Sequence, residues 1–322
     1  MNPLQRCQQW DGTVPSELLD RHYDVGAGLY KFWASPASAF DAVCKGWRSA
    51  AHPAQLHYAW DLAAAESLDA AIRRTTTEAV ERLGLHRQHA VKVLDAGCGI
   101  GGATCQIAAE RPAWQLHGIT RVRRQAQIAR ERAARAGVQN AAFEHGSYLA
   151  APWSDGEFHG IYAIESLCYT PAGQRPQLMA EMYRLLCPGG RLVVADGYSS
   201  KAPQPGQRDW IQDVLDGWTM PMPVSVQQAV TDATEVGFVV EGVEDATHQV
   251  LASAVRIGRI GRLLLRPLAQ LAAVPGLRPL LAPLGFASVE GARQFAKACE
   301  AQERVLVEGL GTYQIFVLRK PD

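Results

Sequence analysis

The chain has 322 residues, 48% of them hydrophobic, and its 32 basic and 32 acidic side chains give a formal net charge of zero. This length suffices for a sizeable core, and the balanced charge excludes the basic footprint of nucleic-acid-binding proteins. The first twenty residues hold no continuous apolar stretch, so we expect no signal peptide, and no later run reaches the roughly 20 apolar residues of a transmembrane helix. Seven cysteines without a C-x-x-C pair predict reduced thiols in a cytoplasmic protein, not disulfides or a zinc site.

Elements taken in chain order divide the sequence into four segments. Residues 1–78 are rich in aromatics and predicted to form a helical cap that lines the active site. Residues 79–246 alternate short apolar runs with amphipathic stretches, which predicts an α/β fold with a mostly parallel, doubly wound sheet. Residues 247–310 are predicted to form a helical lid over the substrate, and residues 311–322 the final strand of the sheet. Strands are predicted at 91–97, 114–120, 160–166, 191–199, 237–247 and 313–320, and helices at 101–111, 123–136 and 175–187.

A glycine-rich turn, GCGIGG at 97–102, follows the first predicted strand. The turn lacks the lysine of a P-loop, although Gly97, Gly99 and Gly102 formally fit the G-x-G-x-x-G spacing of a dinucleotide loop. Asp95 opposes the dinucleotide interpretation, because a carboxylate just before the first glycine would repel a pyrophosphate. The same carboxylate suits an ammonium group, such as the cationic amino-acid end of S-adenosylmethionine.

Several motifs follow this loop in order: a strand ending at Thr120, the stretch 144–166, and LLCPGGRLVVAD at 185–196. With VLDAGCGIGG they resemble the class I S-adenosylmethionine-dependent methyltransferases over residues 88–200. The resemblance implies a seven-stranded Rossmann-like sheet. Thr120 and Gln125 match a branch that includes cyclopropane fatty acid synthases and tocopherol methyltransferases, and Ser147 replaces the usual acidic residue near the adenine. The cofactor contacts implied by the resemblance are Asp95, Gly97, Cys98, Gly99, Gly101, Thr120, Gln125, Ser147 and Tyr148, with Tyr148 or Trp153 against the adenine ring.

Two further motifs bear on the methyl acceptor. HYDVGAGLYKFW (22–33) resembles the N-terminal segment of the cyclopropane fatty acid synthases and prenyl diphosphate C-methyltransferases. AIESLCYTP (163–171) resembles the acidic motif of sterol side-chain and geranyl diphosphate C-methyltransferases. An alkene acceptor passes through a carbocation, which needs aromatic faces and one carboxylate base in a dry pocket. The expected catalytic residues are Glu165, Tyr23 and His22, and the expected pocket residues are Tyr30, Trp33, Tyr169 and Trp218.

Alternatives stay open at this point. Glu165 fits a helix cap or a cofactor contact, Tyr23 a core aromatic, and His22 a structural histidine. The substrate is predicted to be an isoprenoid, either a prenyl diphosphate or a sterol- or triterpene-like skeleton, and Mg²⁺ is expected only with a diphosphate, since no aspartate-rich metal motif is present. Tocopherol-like O-, N- or ring-carbon methylation, lipid cyclopropanation and a non-catalytic scaffold are the other candidate functions.

Four arginines recur at helical spacing in the apolar segment before the final strand: Arg256, Arg259, Arg262 and Arg266. Three interpretations are open for them. They form a solvated helix face, they attract anionic membrane lipids through a peripheral contact of residues 250–285, or they capture a substrate diphosphate.

Overall fold

The computed structural model of the chain describes residues 55, 57–85, 90–271, 273–274, 276 and 289–322. Their centre is a seven-stranded sheet with the strand order β3-β2-β1-β4-β5-β7-β6. Strand β7 is antiparallel to β5 and β6, and the other pairs are parallel. The prediction of a doubly wound, mostly parallel seven-stranded sheet is therefore confirmed. The strands are β1 Lys92–Ala96, β2 Gln115–Thr120, β3 Ala141–His145, β4 Phe158–Ile164, β5 Leu186–Ser199, β6 Val239–Asp245 and β7 Gly311–Arg319.

Helices flank the sheet and fill the connection between its last two strands. The helix α7 continues into a π-helical turn, Gly261–Leu265, and then into α8. Two 3₁₀ turns, Leu167–Tyr169 and Ala172–Gln174, follow β4. The helices are α1 Leu68–Glu81, α2 Gly102–Glu110, α3 Arg123–Arg135, α4 Arg175–Leu185, α5 Gln207–Trp218, α6 Val226–Glu235, α7 Thr247–Ile260, α8 Arg266–Leu271 and α9 Val289–Val307.

Both faces of the central strands are buried, which explains why these strands read as nearly continuous apolar runs. Successive strand side chains point to opposite faces. Leu94 and Ile161 accordingly pack with α4 on one face. Val93 and Tyr162, one residue away in each strand, pack with α1 on the other.

The helices between β6 and β7 build a smaller core of their own around Ile257, Leu265 and Phe295. This arrangement agrees with a helical insert between the last two strands, although the four predicted segment boundaries stay predictions. Of the predicted cap, residues 1–54 lie outside the described part of the chain. Within the described ranges, no helix is both long and apolar enough to cross a bilayer.

Candidate active site

A cavity of about 320 Å³ opens at the carboxyl ends of the central parallel strands. Asp95 of β1, Thr120 of β2 and Asp196 of β5 line it, together with Glu165, which follows β4. This edge of an open α/β sheet is where ligands bind, since the loops there diverge from the strand ends. Side chains of α5 and α9 close the opposite wall.

The glycine-rich turn supplies backbone to this cavity. Gly97 has φ 105°, and an added Cβ would lie 2.3 Å from the Cβ of Ser166, so no other residue fits. Gly99 has φ 52° and open space where a Cβ would stand. Cys98 is buried and lines the cavity between them. The turn therefore presents main chain to a ligand without side chains in the way.

Gly101 serves packing instead, which differs from its predicted cofactor contact. It caps the N-terminus of α2 with φ 78°, and a Cβ there would meet Ala129 at 2.8 Å and Phe143 at 2.9 Å. The residue lets α2 approach α3 and β3 closely, and it is not part of the cavity lining.

Asp95 is 3% exposed and accepts two hydrogen bonds, from Thr104 at 2.6 Å and from Tyr162 at 2.9 Å. Both bonds use Oδ2, so the other carboxylate oxygen is not engaged by them. Burial raises the pKa of Asp95 to about 6, and the two hydroxyl donors oppose that rise. Above that pH the cavity holds a fixed anion, which favours a positively charged ligand group.

The side chains of Thr120 and Gln125, both expected cofactor contacts, lie together in the structure. The Thr120 hydroxyl donates a 2.8 Å hydrogen bond to Oε1 of Gln125, and both side chains are buried and line the cavity. Their joint orientation suits a diol such as a ribose.

The side chains predicted near the adenine, Tyr148, Ser147 and Trp153, lie in different places in the structure. Tyr148 lines the cavity, and its hydroxyl donates to the carbonyl of Ser166 at 3.0 Å. Ser147 does not line it, and its Oγ accepts from the backbone of Leu149. Trp153 packs edge-on against His117 and Phe158 instead, so the structure favours Tyr148 for the ring contact.

Glu165 combines burial with an unusual backbone. Its φ of 47° lies in the left-handed region, which costs a non-glycine residue about 1–3 kcal/mol and is typical of functional sites. Burial raises the pKa of Glu165 to about 8, and the nearby Asp196 adds to the rise. Its Oε1 accepts a 2.8 Å hydrogen bond from the backbone N–H of Tyr58. The side chain is thus a fixed carboxyl that lines the cavity and gains or loses a proton near neutral pH.

Tyr58 and Tyr313 are site residues that the sequence reasoning missed. Their rings meet edge to face at 5.8 Å, and both line the cavity beside Glu165. The Tyr313 hydroxyl donates a 3.4 Å hydrogen bond to the carbonyl oxygen of Ala195, and its proximity to the Glu165 carboxyl acts to lower the pKa of that group. Tyr58 was visible only as one aromatic of the N-terminal segment, and Tyr313 only as the first residue of the predicted last strand.

Buried polar groups hold Tyr58 in place. Its carbonyl accepts from the Thr75 hydroxyl at 2.7 Å and lies 2.9 Å from Nδ1 of His57. Burial lowers the pKa of His57 to about 4, so the ring is neutral, and its tautomer with hydrogen on Nδ1 donates to this carbonyl. The backbone that donates to Glu165 is therefore anchored from both sides.

The remaining predicted residues fall into two groups. Tyr169 and Trp218 line the cavity, and Trp218 packs edge to face against Phe295 at 5.1 Å. The predicted residues outside the described part of the chain are His22, Tyr23, Tyr30 and Trp33.

The charge of the described lining is mainly acidic. Three carboxyls, Asp95, Glu165 and Asp196, line the cavity with one arginine, Arg121, which lies just before α3. Burial also raises the pKa of Asp196, which accepts from the backbone N–H groups of Cys168 and Gly197. Among the described residues, no cluster of three or more His, Cys, Asp or Glu could hold a metal ion.

These features fit S-adenosylmethionine. Asp95 suits its ammonium, Gly97 and Gly99 give room for its methionine end, Thr120 with Gln125 suits its ribose, and Tyr148 its adenine. None of these residues needs a phosphate group on the ligand as a binding partner.

Comparison with known proteins gives the same picture. A family model described as "Methyltransferase domain" matches residues 93–190. Methyltransferase GfsG of Streptomyces halstedii is 36% identical over 44% of this chain, but the match spans only half of that protein. Cycloartenol-C-24-methyltransferase 1 of Oryza sativa subsp. japonica is 26% identical over 95% of this chain and 86% of its own.

Solved structures share the fold. The cyclopropane synthase MmaA2 of Mycobacterium tuberculosis superposes with a TM-score of 0.71 at 14% identity, covering 97% of this chain and all of the other. Geranyl diphosphate C-methyltransferase of Streptomyces coelicolor A3(2) gives 0.63 at 16%, covering 96% and 99%. At these identities the likeness establishes the architecture alone.

Proposed function

Because the chain belongs to the class I S-adenosylmethionine-dependent methyltransferases, we propose that it methylates an alkene carbon of an isoprenoid and that Glu165 removes the resulting proton. The observation that carries the proposal is the half-buried Glu165 carboxyl at the cavity wall, which is hydrogen-bonded by the backbone of Tyr58 and lies beside Tyr313. Methylation at oxygen or nitrogen needs mainly proximity and loss of an acidic proton. An alkene makes a further demand, because its attack leaves a cation that must lose a proton from carbon.

When bound, S-adenosylmethionine would supply an electrophilic methyl group, with its sulfonium–methyl bond breaking to leave neutral S-adenosylhomocysteine as the product. The alkene's π electrons form the new C–C bond, and the neighbouring carbon becomes positively charged. The faces and edges of Tyr58, Tyr313 and Trp218 exclude water around this carbon, and aromatic faces stabilise a cation. The Glu165 carboxylate then takes a proton from an adjacent carbon, directly or through a water, and the C–H electrons form a new double bond.

The lining favours an uncharged isoprenoid over a prenyl diphosphate. The described lining offers a diphosphate a single arginine, Arg121, and its carboxyls suit a cationic intermediate once they are ionised. The far wall is apolar, with Ile211, Val214 and Leu215 of α5 opposite Val305 and Leu306 of α9. None of the four arginines at 256–266 lines the cavity, which speaks against their role in diphosphate capture. The sterol relative supports the same substrate class by likeness.

The proposal keeps two finer predictions. A reducing, cytoplasmic location stays a prediction from the cysteine pattern of the sequence. Tyr23 and His22 stay candidates for cation shielding and proton transfer, and Tyr30 and Trp33 for the pocket.

The test combines Glu165→Gln with a panel of acceptors. The variant keeps the size of the side chain but cannot accept the proton, so we expect unchanged affinity for the cofactor by calorimetry and a fall in alkene turnover of about 10³-fold or more. Asp155→Asn, which changes an exposed carboxyl remote from the cavity, is the matched control and should retain full rate.

Labelled S-adenosylmethionine is incubated with a panel of squalene, sterols, prenyl diphosphates, a tocopherol-like phenol, an amine and an unsaturated phospholipid to identify the acceptor. We expect label in a neutral isoprenoid. Near-normal turnover by the Glu165→Gln protein would refute the role of Glu165 as the base. Label that enters only a tocopherol-like phenol, an amine or an unsaturated phospholipid would refute the isoprenoid assignment, and failure to bind the cofactor would favour the scaffold function.

A further inference from the structure

An apolar surface lies on the helical insert, outside the cavity. Leu263 is 77% exposed, Leu264 39%, Leu271 48% and Val274 46%. These are four of the eight large hydrophobic side chains that are exposed among the described residues, and they fall within twelve consecutive positions. We call Leu263, Leu264, Leu271 and Val274 the insert patch.

A π-helical turn produces the most exposed part of the insert patch. In Gly261–Leu265 the helix is wider than an α-helix, and Leu263 and Leu264 project outward while the next residue, Leu265, is 1% exposed. Leu265 belongs to the insert core with Phe295. The outward leucines therefore stand on a turn that is anchored from beneath, and such π-turns are found frequently at functional sites.

Arginines lie next to the insert patch in the sequence. From 246 to 289 the sequence holds five arginines and no aspartate or glutamate, although the whole chain has a net charge of zero. Arg262 and Arg266 pair with Glu303 and Glu300 of α9, at 2.6 and 3.4 Å, while Arg266 keeps 63% of its side chain exposed. Arg259 is exposed just before the π-turn.

We propose that the insert patch is a docking surface for an anionic lipid bilayer, with the leucines of the π-turn entering the interface and the arginines contacting lipid headgroups. An apolar patch beside cationic side chains is the pattern of interfacial helices. Charge decides against a second copy of this chain, because two such surfaces would bring arginines against arginines, whereas anionic lipid is complementary. Docking is separate from the methyl transfer proposed above, so either can fail without the other.

The test measures co-sedimentation of the full chain with vesicles of phosphatidylcholine, alone or with about one quarter phosphatidylglycerol. We expect binding to the anionic vesicles and its loss in salt strong enough to shorten the Debye length to about 3 Å. Leu263→Ser with Leu264→Ser should lower the partition coefficient about tenfold or more, since both leucines leave water on docking. Arg259→Gln should lower it about fivefold, for the anionic vesicles only.

Two controls match these variants. Val239→Ser with Val243→Ser removes two valines that are 42% and 39% exposed on β6, and it should bind vesicles like the wild type. Arg123→Gln removes an exposed arginine from α3, which packs on β2 and β3 at the other end of the sheet, and it should also bind normally.

The proposal is overturned if the wild type shows no preference for anionic vesicles, or if the leucine variant binds as well as the wild type. Sedimentation velocity tests the other possible occupant of the insert patch, a second copy of the chain. A wild type that self-associates without binding vesicles, and a leucine variant that is monomeric, would assign the insert patch to a second copy of the chain and refute docking on lipid.

Discussion

The backbone N–H of Tyr58 donates a 2.8 Å hydrogen bond to Oε1 of Glu165, across 107 residues of sequence. The bond joins the segment that precedes the sheet to the end of β4, and it aims one oxygen of the carboxylate at a fixed donor. The Tyr313 hydroxyl, from the last strand, contacts the same carboxylate. Three distant parts of the chain thus position one acidic group, and its protonation can be tested directly.

The stability of the fold should depend on the charge of Glu165. Its pKa is about 8 in the folded chain and near the ordinary glutamate value of 4.5 when unfolded. Between these values only the folded state holds the proton, so stability falls as the pH rises through that window. Glu165→Gln cannot ionise, and its stability relative to the wild type should increase by about 1–4 kcal/mol between pH ~5 and ~8.

Denaturant unfolding of both proteins across that pH range is the measurement. Asp95→Asn is the comparison, because the pKa of Asp95 is only about 6 and its relative gain should end near that pH. A difference between Glu165→Gln and wild type that stays constant with pH would mean that Glu165 is ionised in the folded protein throughout.

Tyr313 acts as a positioning residue for the base. Its hydroxyl favours the ionised form of Glu165, so Tyr313→Phe should raise the pKa of that carboxyl. The pH profile of kcat/KM, which reports groups of the free enzyme, should then rise at a more alkaline pH. Activity should fall several-fold near neutrality and recover at high pH, because the variant carboxylate still forms there.

Tyr198→Phe is the matched control, since Tyr198 lines the same cavity and is equally buried. Its pH profile should stay at the wild-type position. A Tyr313→Phe enzyme with a uniformly lower rate and an unmoved profile would indicate only a packing role for the ring.

Much of the fold follows from the sequence, because burial on both faces gives the central strands a strong apolar signal. The exceptions have physical reasons. Only Phe143 of β3 is buried, so that strand carries no apolar run. The predicted helix at 175–187 ends at Leu185, and β5 begins at Leu186.

The site residues also fall into two groups, those that the sequence predicts and those that it does not. Asp95 and Thr120 lie at the carboxyl ends of β1 and β2, and Glu165 directly follows β4. The carboxyl ends of parallel strands meet at one edge of the sheet. Tyr58 and Tyr313 reach Glu165 only through tertiary packing, which no local pattern encodes. At Gly101 the sequence misled in the other direction. Its position in the motif predicted a cofactor contact, whereas its neighbours Ala129 and Phe143 leave room only for a glycine.

Cofactor affinity should respond to Thr104, a residue that lies behind Asp95. Its buried hydroxyl stabilises the ionised Asp95, so Thr104→Val should raise the pKa of that carboxyl above its value of about 6. Calorimetry should show S-adenosylmethionine binding about fivefold more weakly near pH ~6.5, and almost normally in alkaline buffer. Thr231→Val, which removes an exposed hydroxyl from α6, should change neither value. Weakening by the same factor at every pH would contradict a role through the Asp95 charge.

Gly217 controls how closely α5 approaches α9. A Cβ at this position would lie 2.2 Å from the Cβ of Ala298 and 2.9 Å from the carbonyl oxygen of Gln294, so the helices must separate to admit it. We expect Gly217→Ala to cost about 1–3 kcal/mol in the free energy of urea unfolding, despite the better helix propensity of alanine. Gly242→Ala on β6 is the control, because no atom lies within 4 Å of its Cβ position, and its stability should stay within about 0.5 kcal/mol of wild type.

Since Trp218 follows Gly217 and lines the cavity, the Gly217→Ala variant should also lose activity. A fully stable Gly217→Ala protein would show that α5 and α9 do not pack this closely.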